Sequence, residues 1–123
     1  STFGGNPLGM AVASSVLDHI LDKDFLENVV LVGEYLKEQF SENIVRKFPN
    51  LVKGIRGKGL MLGIEAIEKN EILIKEMINQ KILVVKAGQN IIRMLPPLIL
   101  EKKHVDEAIK KIGKAFEKVN EEN

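Results

Sequence analysis

No cysteine occurs among the 123 residues, which excludes a disulfide framework, thiolate zinc sites and thiol catalysis together. The expected compartment is the cytoplasm. An excess of charge of one sign is also missing. Eighteen Lys and Arg stand against 17 Asp and Glu, a net charge of +1, so bulk electrostatics call for neither nucleic acid nor an anionic membrane. No apolar run approaches the roughly 20 residues that span a bilayer, and the first residues lack the basic-then-apolar layout of a signal peptide. There are only two histidines, His19 and His104, far apart and without a second ligand at metal spacing. No metal site and no Ser-His-Asp arrangement is assigned to them. Internal repeats and low-complexity tracts are absent too.

A hydrophobic fraction of 45% is enough to fill one modest core. Pro7 suits a first helical turn, and Leu8, Val12, Val16, Leu17, Ile20 and Leu21 form a helical stripe, which predicts a helix over 7–21. Asp24 with Glu27 reads as a capping box opening a second helix. Its apolar positions from Phe25 through Val29, Leu36, Phe40 and Ile44 to Phe48 recur at three and four, up to Pro49. The period then changes. Leu60, Leu62 and Ile64 alternate with Met61, Gly63 and Glu65, and Gly57 and Gly59 mark a tight turn between strands. A short helix over 70–80, with Ile74, Met77 and Ile78 inward, is followed by a β-rich run over 82–85, a turn at 88–90 and a strand over 91–95. Pro96 and Pro97 end that strand, and residues 101–119 form a charged helix with an apolar stripe through Val105, Ile109, Ile112, Phe116 and Val119.

Helix, helix, strands, helix, strand, strand, helix is an α+β order: a small, mainly antiparallel sheet covered by helices. The leading helix, preceded by a glycine-rich loop, has no obvious place against so small a sheet. It is expected to belong to a neighbouring domain, with the boundary between residues 21 and 22.

Three segments bear on chemistry. Residues 54–59, "GIRGKG", look like a phosphate loop but fail its tests. Lys58 is followed by Gly59 rather than Ser or Thr, and the residues after it alternate like a strand instead of opening a helix. Gly54 and Gly57 also have the spacing of an RNA-binding KH loop. That loop joins two helices, however, so an RNA-binding module stands only as the rival from another class. Arg93 is a forked, permanently charged donor within the apolar strand, and a guanidinium there needs an anion. It either snorkels at a sheet edge or binds a carboxylate in a pocket. Thr2, ahead of a helix start, could give its hydroxyl to a phosphate beside free amides; alternatively the opening is a loop whose glycines merely allow a turn.

Taken in order, "STFGGNPLG" at 1–9, "IRGKGLMLGIE" at 55–65 and "NIIRMLPPLIL" at 90–100 resemble the C-terminal portion of class III pyridoxal-phosphate aminotransferases, the acetylornithine aminotransferase group in particular. The resemblance runs over essentially the whole chain. It implies the small C-terminal domain of a fold-type I enzyme over 22–123, with residues 1–21 as the cofactor loop and connecting helix of the large domain. It further implies that Thr2 holds the pyridoxal phosphate of the partner subunit of a homodimer and that Ser1 touches substrate. Arg93 takes the α-carboxylate of glutamate or 2-oxoglutarate. The family's Schiff-base lysine and its aspartate on the pyridine nitrogen lie upstream of the opening motif in relatives, and Lys23, which follows the motif, cannot stand in for the lysine. No catalytic residue is therefore assigned, and the chain is expected to be the C-terminal third of an enzyme, unable to transaminate alone. Gly9 resembles ornithine aminotransferases, where acetylornithine enzymes usually have Ala. Glu101, where relatives tend to have Thr, predicts a weaker start for the last helix.

Overall fold

The computed structural model describes residues 2–67 and 70–122. Its elements are α1 (Pro7–Ile20), α2 (Lys23–Phe40) continued by a π-helical turn (Ser41–Val45), β1 (Val52–Lys58), β2 (Met61–Ala66), α3 (Asn70–Asn79), β3 (Val85–Ala87), β4 (Ile91–Met94) and α4 (Lys102–Glu121). The four strands form one antiparallel sheet in the order β1-β2-β4-β3. The α+β arrangement is the expected one.

Alternation along the strands divides the sheet into two faces. Leu62, Ile64, Ile92 and Met94 are buried and share a core with the apolar stripes of α2 and α4. At its centre Phe116 meets Phe40 edge-on, with ring centroids 6.3 Å apart, and Phe48 at 5.8 Å. Such ring pairs add to the area they bury. α2 comes so close to the β1–β2 turn that a Cβ on Gly33 would stand 2.5 Å from the Gly59 carbonyl oxygen. In β1, Gly57 has φ +143 and a Cβ there would strike the Met61 carbonyl. Glycine is required at both.

Several local expectations are corrected. The second helix is capped by Asp22, whose Oδ1 accepts the Phe25 N–H at 3.0 Å; Asp24 sits in the first turn. The regular helix stops at Phe40, and a π turn carries the stripe to Ile44, where Arg46 N–H reaches back to Ser41 C=O. The cause is local competition for carbonyls: Ser41 Oγ donates to Lys37 C=O and Asn43 Nδ2 to Gln39 C=O. Residues 82–84 are not strand. Lys81, at φ 65, ends α3 in a Schellman motif, with Lys81 N–H on Ile78 C=O and Ile82 N–H on Met77 C=O. Ile82 is thereby held in the helix cap, and pairing begins only at Val85. In α3 Asn70, Leu73, Glu76 and Met77 are buried and Ile74 packs partly buried against the core, whereas Ile78 is exposed. Glu101 is the N-cap residue of α4, and its own N–H donates to His104 Nδ1 at 3.2 Å. α4 keeps its helical form to Glu121, further than the expected fraying at 120.

α1 differs from the rest. None of its residues is buried, and its apolar stripe from Leu8 to Leu17 faces outward.

Candidate functional site

β4 places Arg93 by alternation. Ile92 and Met94 on either side are 0% and 7% exposed, so the residue between them must point to the open face of the sheet, where Arg93 is exposed. The register then sets its neighbours. Arg93 pairs with Gly63 of β2, and Gly63 pairs with Arg56 of β1, so one row across three strands reads Arg56, Gly63, Arg93. On the other side Arg93 pairs with Val85 of β3.

The two arginines flank a depression of about 290 Å³ whose lining includes Gly57, Gly63, Ala87 and Ile91. Arg56 is engaged, its Nε 2.8 Å from Glu65 Oε1. Arg93 stands in no ion pair and no side-chain hydrogen bond among the described residues. A guanidinium in an otherwise apolar strand, facing an open depression and without a carboxylate of its own, keeps its forked donors open to solvent. Between the two readings of Arg93 left open by the sequence, this geometry favours the pocket.

Thr2 lies exposed in the turn that leads into α1. Asn6 caps that helix: its Oδ1 accepts the Gly9 N–H at 2.8 Å, while its Nδ2 donates to Phe3 C=O at 2.8 Å. Pro7 has no N–H to give. Asn6 therefore satisfies part of the helix start. Ser1 lies outside the described residues. Lys23 is exposed and paired with Glu27 at 3.5 Å.

Two other features carry no catalytic geometry. A cleft of about 420 Å³ lies between α2, α4 and the Pro96–Pro97 segment, but its walls are mostly aliphatic and His104 at its edge is already bonded to Glu101. Residues 54–57, the KH-like spacing, lie within β1 instead of joining two helices, so the RNA-binding rival loses its structural premise. The same placement corrects the expected turn at 57–59: Gly57 and Lys58 belong to the strand, and Gly59-Leu60 makes the connection. Reading Gly57 and Gly59 as the turn also hid the Arg56–Glu65 pair. The signal was present in the alternation of 61, 63 and 65, which puts Glu65 on the outer face.

The profile of the family described as aminotransferase class-III matches residues 1–116. The chain belongs to that family. Class-III aminotransferases depend on pyridoxal phosphate. The acetylornithine aminotransferase of Brucella melitensis biotype 1 is 42% identical over 120 residues, covering 98% of this chain and 30% of that protein. Among solved structures, the lysine aminotransferase from M. tuberculosis superimposes with a TM-score of 0.84 at 31% identity, over 94% of this chain and 27% of the other. The ornithine aminotransferase from Toxoplasma gondii ME49 gives 0.86 at 28% identity, over 100% and 30%. The chain thus spans about three-tenths of the length of the class-III relatives it matches. Two solved structures named for two different amino donors share this domain's shape, so the shape alone does not choose the donor.

Proposed function

We propose that these 123 residues are the C-terminal part of a cytoplasmic, homodimeric aminotransferase. It moves the terminal amino group of N-acetylornithine, or a related ω-amino donor, to 2-oxoglutarate through pyridoxal phosphate. The observation that carries this reading is Arg93, a guanidinium without a partner among the described residues, over an open depression, in a chain whose relatives at about 42% identity are named for acetylornithine.

In this reading Arg93 binds the α-carboxylate of glutamate or 2-oxoglutarate and fixes the orientation of the reacting carbon, with both N–H groups of one guanidinium edge available for two parallel hydrogen bonds. Thr2 donates its hydroxyl to the cofactor phosphate of the partner subunit, aided by the positive end of α1. Ser1 touches the substrate. The cofactor, when bound, supplies the electron-withdrawing ring that amino transfer needs. Residues 1–21 belong to the large domain, residues 22–123 form the small one, and the segment alone does not transaminate. An ornithine enzyme is the second reading, favoured by Gly9 and by the likeness to the Toxoplasma structure.

The test is the intact mass of the source polypeptide together with its absorbance spectrum before and after borohydride. A larger parent with a reducible chromophore, turning over acetylornithine faster than ornithine, is the expected result. A source polypeptide of 123 residues that takes up no pyridoxal phosphate would overturn the reading.

A further inference from the structure

On the covered side of the sheet, the cleft of about 420 Å³ opens between α2, α4 and the Pro96–Pro97 segment. Alternation along β4 separates it from Arg93: Met94 lines the cleft, and Arg93 beside it points to the opposite face. The floor is Leu36, Met94, Val105 and Ile112, each at most 7% exposed. Aliphatic side chains continue to the rim, where Leu83 and Leu95 are exposed. A hollow of this volume, apolar below and with few polar groups at its mouth, has the build of a small-molecule site.

The polar side chains that line it, Lys81 and His104, are both donors. Lys81 occupies the left-handed position that closes α3, at φ 65, where glycine or asparagine is the usual residue. A lysine is held there against its backbone preference, and its ammonium has no ion pair or side-chain hydrogen bond among the described residues. His104 accepts the Glu101 N–H at Nδ1, so its proton sits on Nε2, a donor on the far side of the ring. Glu101 and Glu107, the carboxylates beside His104, are each paired with a lysine of α4, Lys103 at 2.9 Å and Lys111 at 2.6 Å. The Lys81 ammonium is left as the uncompensated charge at the mouth.

We propose that this cleft binds a medium-chain aliphatic monocarboxylate. Its hydrocarbon tail lies along Leu36, Val105 and Ile112, and its carboxylate meets the Lys81 ammonium and the His104 Nε2–H. A dicarboxylate does not suit the cleft, because its second charge would be buried among aliphatic side chains without a partner. The proposal is independent of the reading of Arg93.

The experiment is a ligand-observed NMR titration of the source polypeptide, wild type and Arg93→Gln, with hexanoate, octanoate, octanol and octylamine. Octanoate should bind both proteins equally, and about 15-fold more tightly than hexanoate, the gain from two buried methylenes. It should exceed octanol by about threefold, the contribution of one solvent-exposed charge pair, and octylamine should be the weakest of the eight-carbon ligands. Lys81→Gly removes the ammonium and relieves the left-handed backbone, so the fold is retained; octanoate should then fall to the level of octanol, with octanol unchanged. Ala108→Leu puts a larger side chain into the cleft lining and should weaken octanoate and octanol together. Octanoate binding that is lost in Arg93→Gln, or that survives Ala108→Leu undiminished, overturns the site. A preference for octanoate over octanol that persists in Lys81→Gly, or octylamine binding as tightly as octanoate, overturns the anionic head. Absence of binding by every eight-carbon ligand overturns the whole proposal.

Discussion

Along β4 the residues alternate between two tasks: Ile92 and Met94 are sealed into the core, and Arg93 between them faces solvent with no partner among the described residues. The same division holds across β2, where Leu62 and Ile64 are buried and Gly63 and Glu65 form part of the open face. One face of the sheet is filled by rings and aliphatic chains and determines whether the domain folds. The other is uncovered, carries two arginines and a glutamate, and contributes little to folding. Because the period is two, a single strand can serve both without compromise. The comparison teaches where substitutions separate stability from binding.

The strongest way to sharpen it is on the inner face. Phe116→Ala removes a fully buried ring that packs on Phe40 and Phe48 and should cost about 3–5 kcal/mol, read as a fall in the denaturant midpoint. Gly33→Ala drives a methyl into the Gly59 carbonyl and should cost about 1–3 kcal/mol in the same assay, the usual range for overpacking.

A pH titration probes the seam between α3 and α4. Glu76 is buried, bonded to Lys118 Nζ at 2.8 Å and to Asn79 Nδ2 at 3.1 Å. The Lys118 bond first and the Asn79 bond second hold its carboxyl below the ordinary 4.5, and the same Glu76 bond raises Lys118. A depressed carboxyl lends stability that is complete above its unfolded value and disappears as pH falls through its folded one. Melting temperature should therefore drop on acidification below about pH 4.5, and Glu76→Gln should flatten that part of the profile while lowering stability at pH 7.

On the outer face Arg93→Gln should change stability by less than about 0.5 kcal/mol. An equal cost on the two faces would break the comparison. Smallest of all should be Val16→Ser in α1, which buries nothing here and should leave the midpoint unchanged; a clear loss would show that α1 supports this core after all.

Much of this was legible in the sequence because the signals were periodic. The stripes of α2 and α4 and the alternation of β2 predicted which face each element buries, and the antiparallel α+β order came with them. What stayed hidden depended on competition between neighbours. Asp22 and Asp24 both satisfy the pattern of an N-cap, and only the fold shows that Asp22 reaches the Phe25 amide. Ile82 has the composition of a strand residue, yet its N–H was already committed to closing α3. Of the candidate site, Arg93 was evident as a charge in an apolar strand. Its row with Gly63 and Arg56 was not, because register is a relation between segments 30 residues apart that no local pattern carries.

The central claim is that Arg93 exists to take a substrate carboxylate. Its most direct test is the half-reaction of 2-oxoglutarate with the parent enzyme, comparing wild type with Arg93→Gln. Loss of one charge-assisted bidentate contact should lower kcat/KM for 2-oxoglutarate by about 10- to 100-fold, with the spectrum of the bound cofactor unchanged. An unaltered kcat/KM would contradict the account.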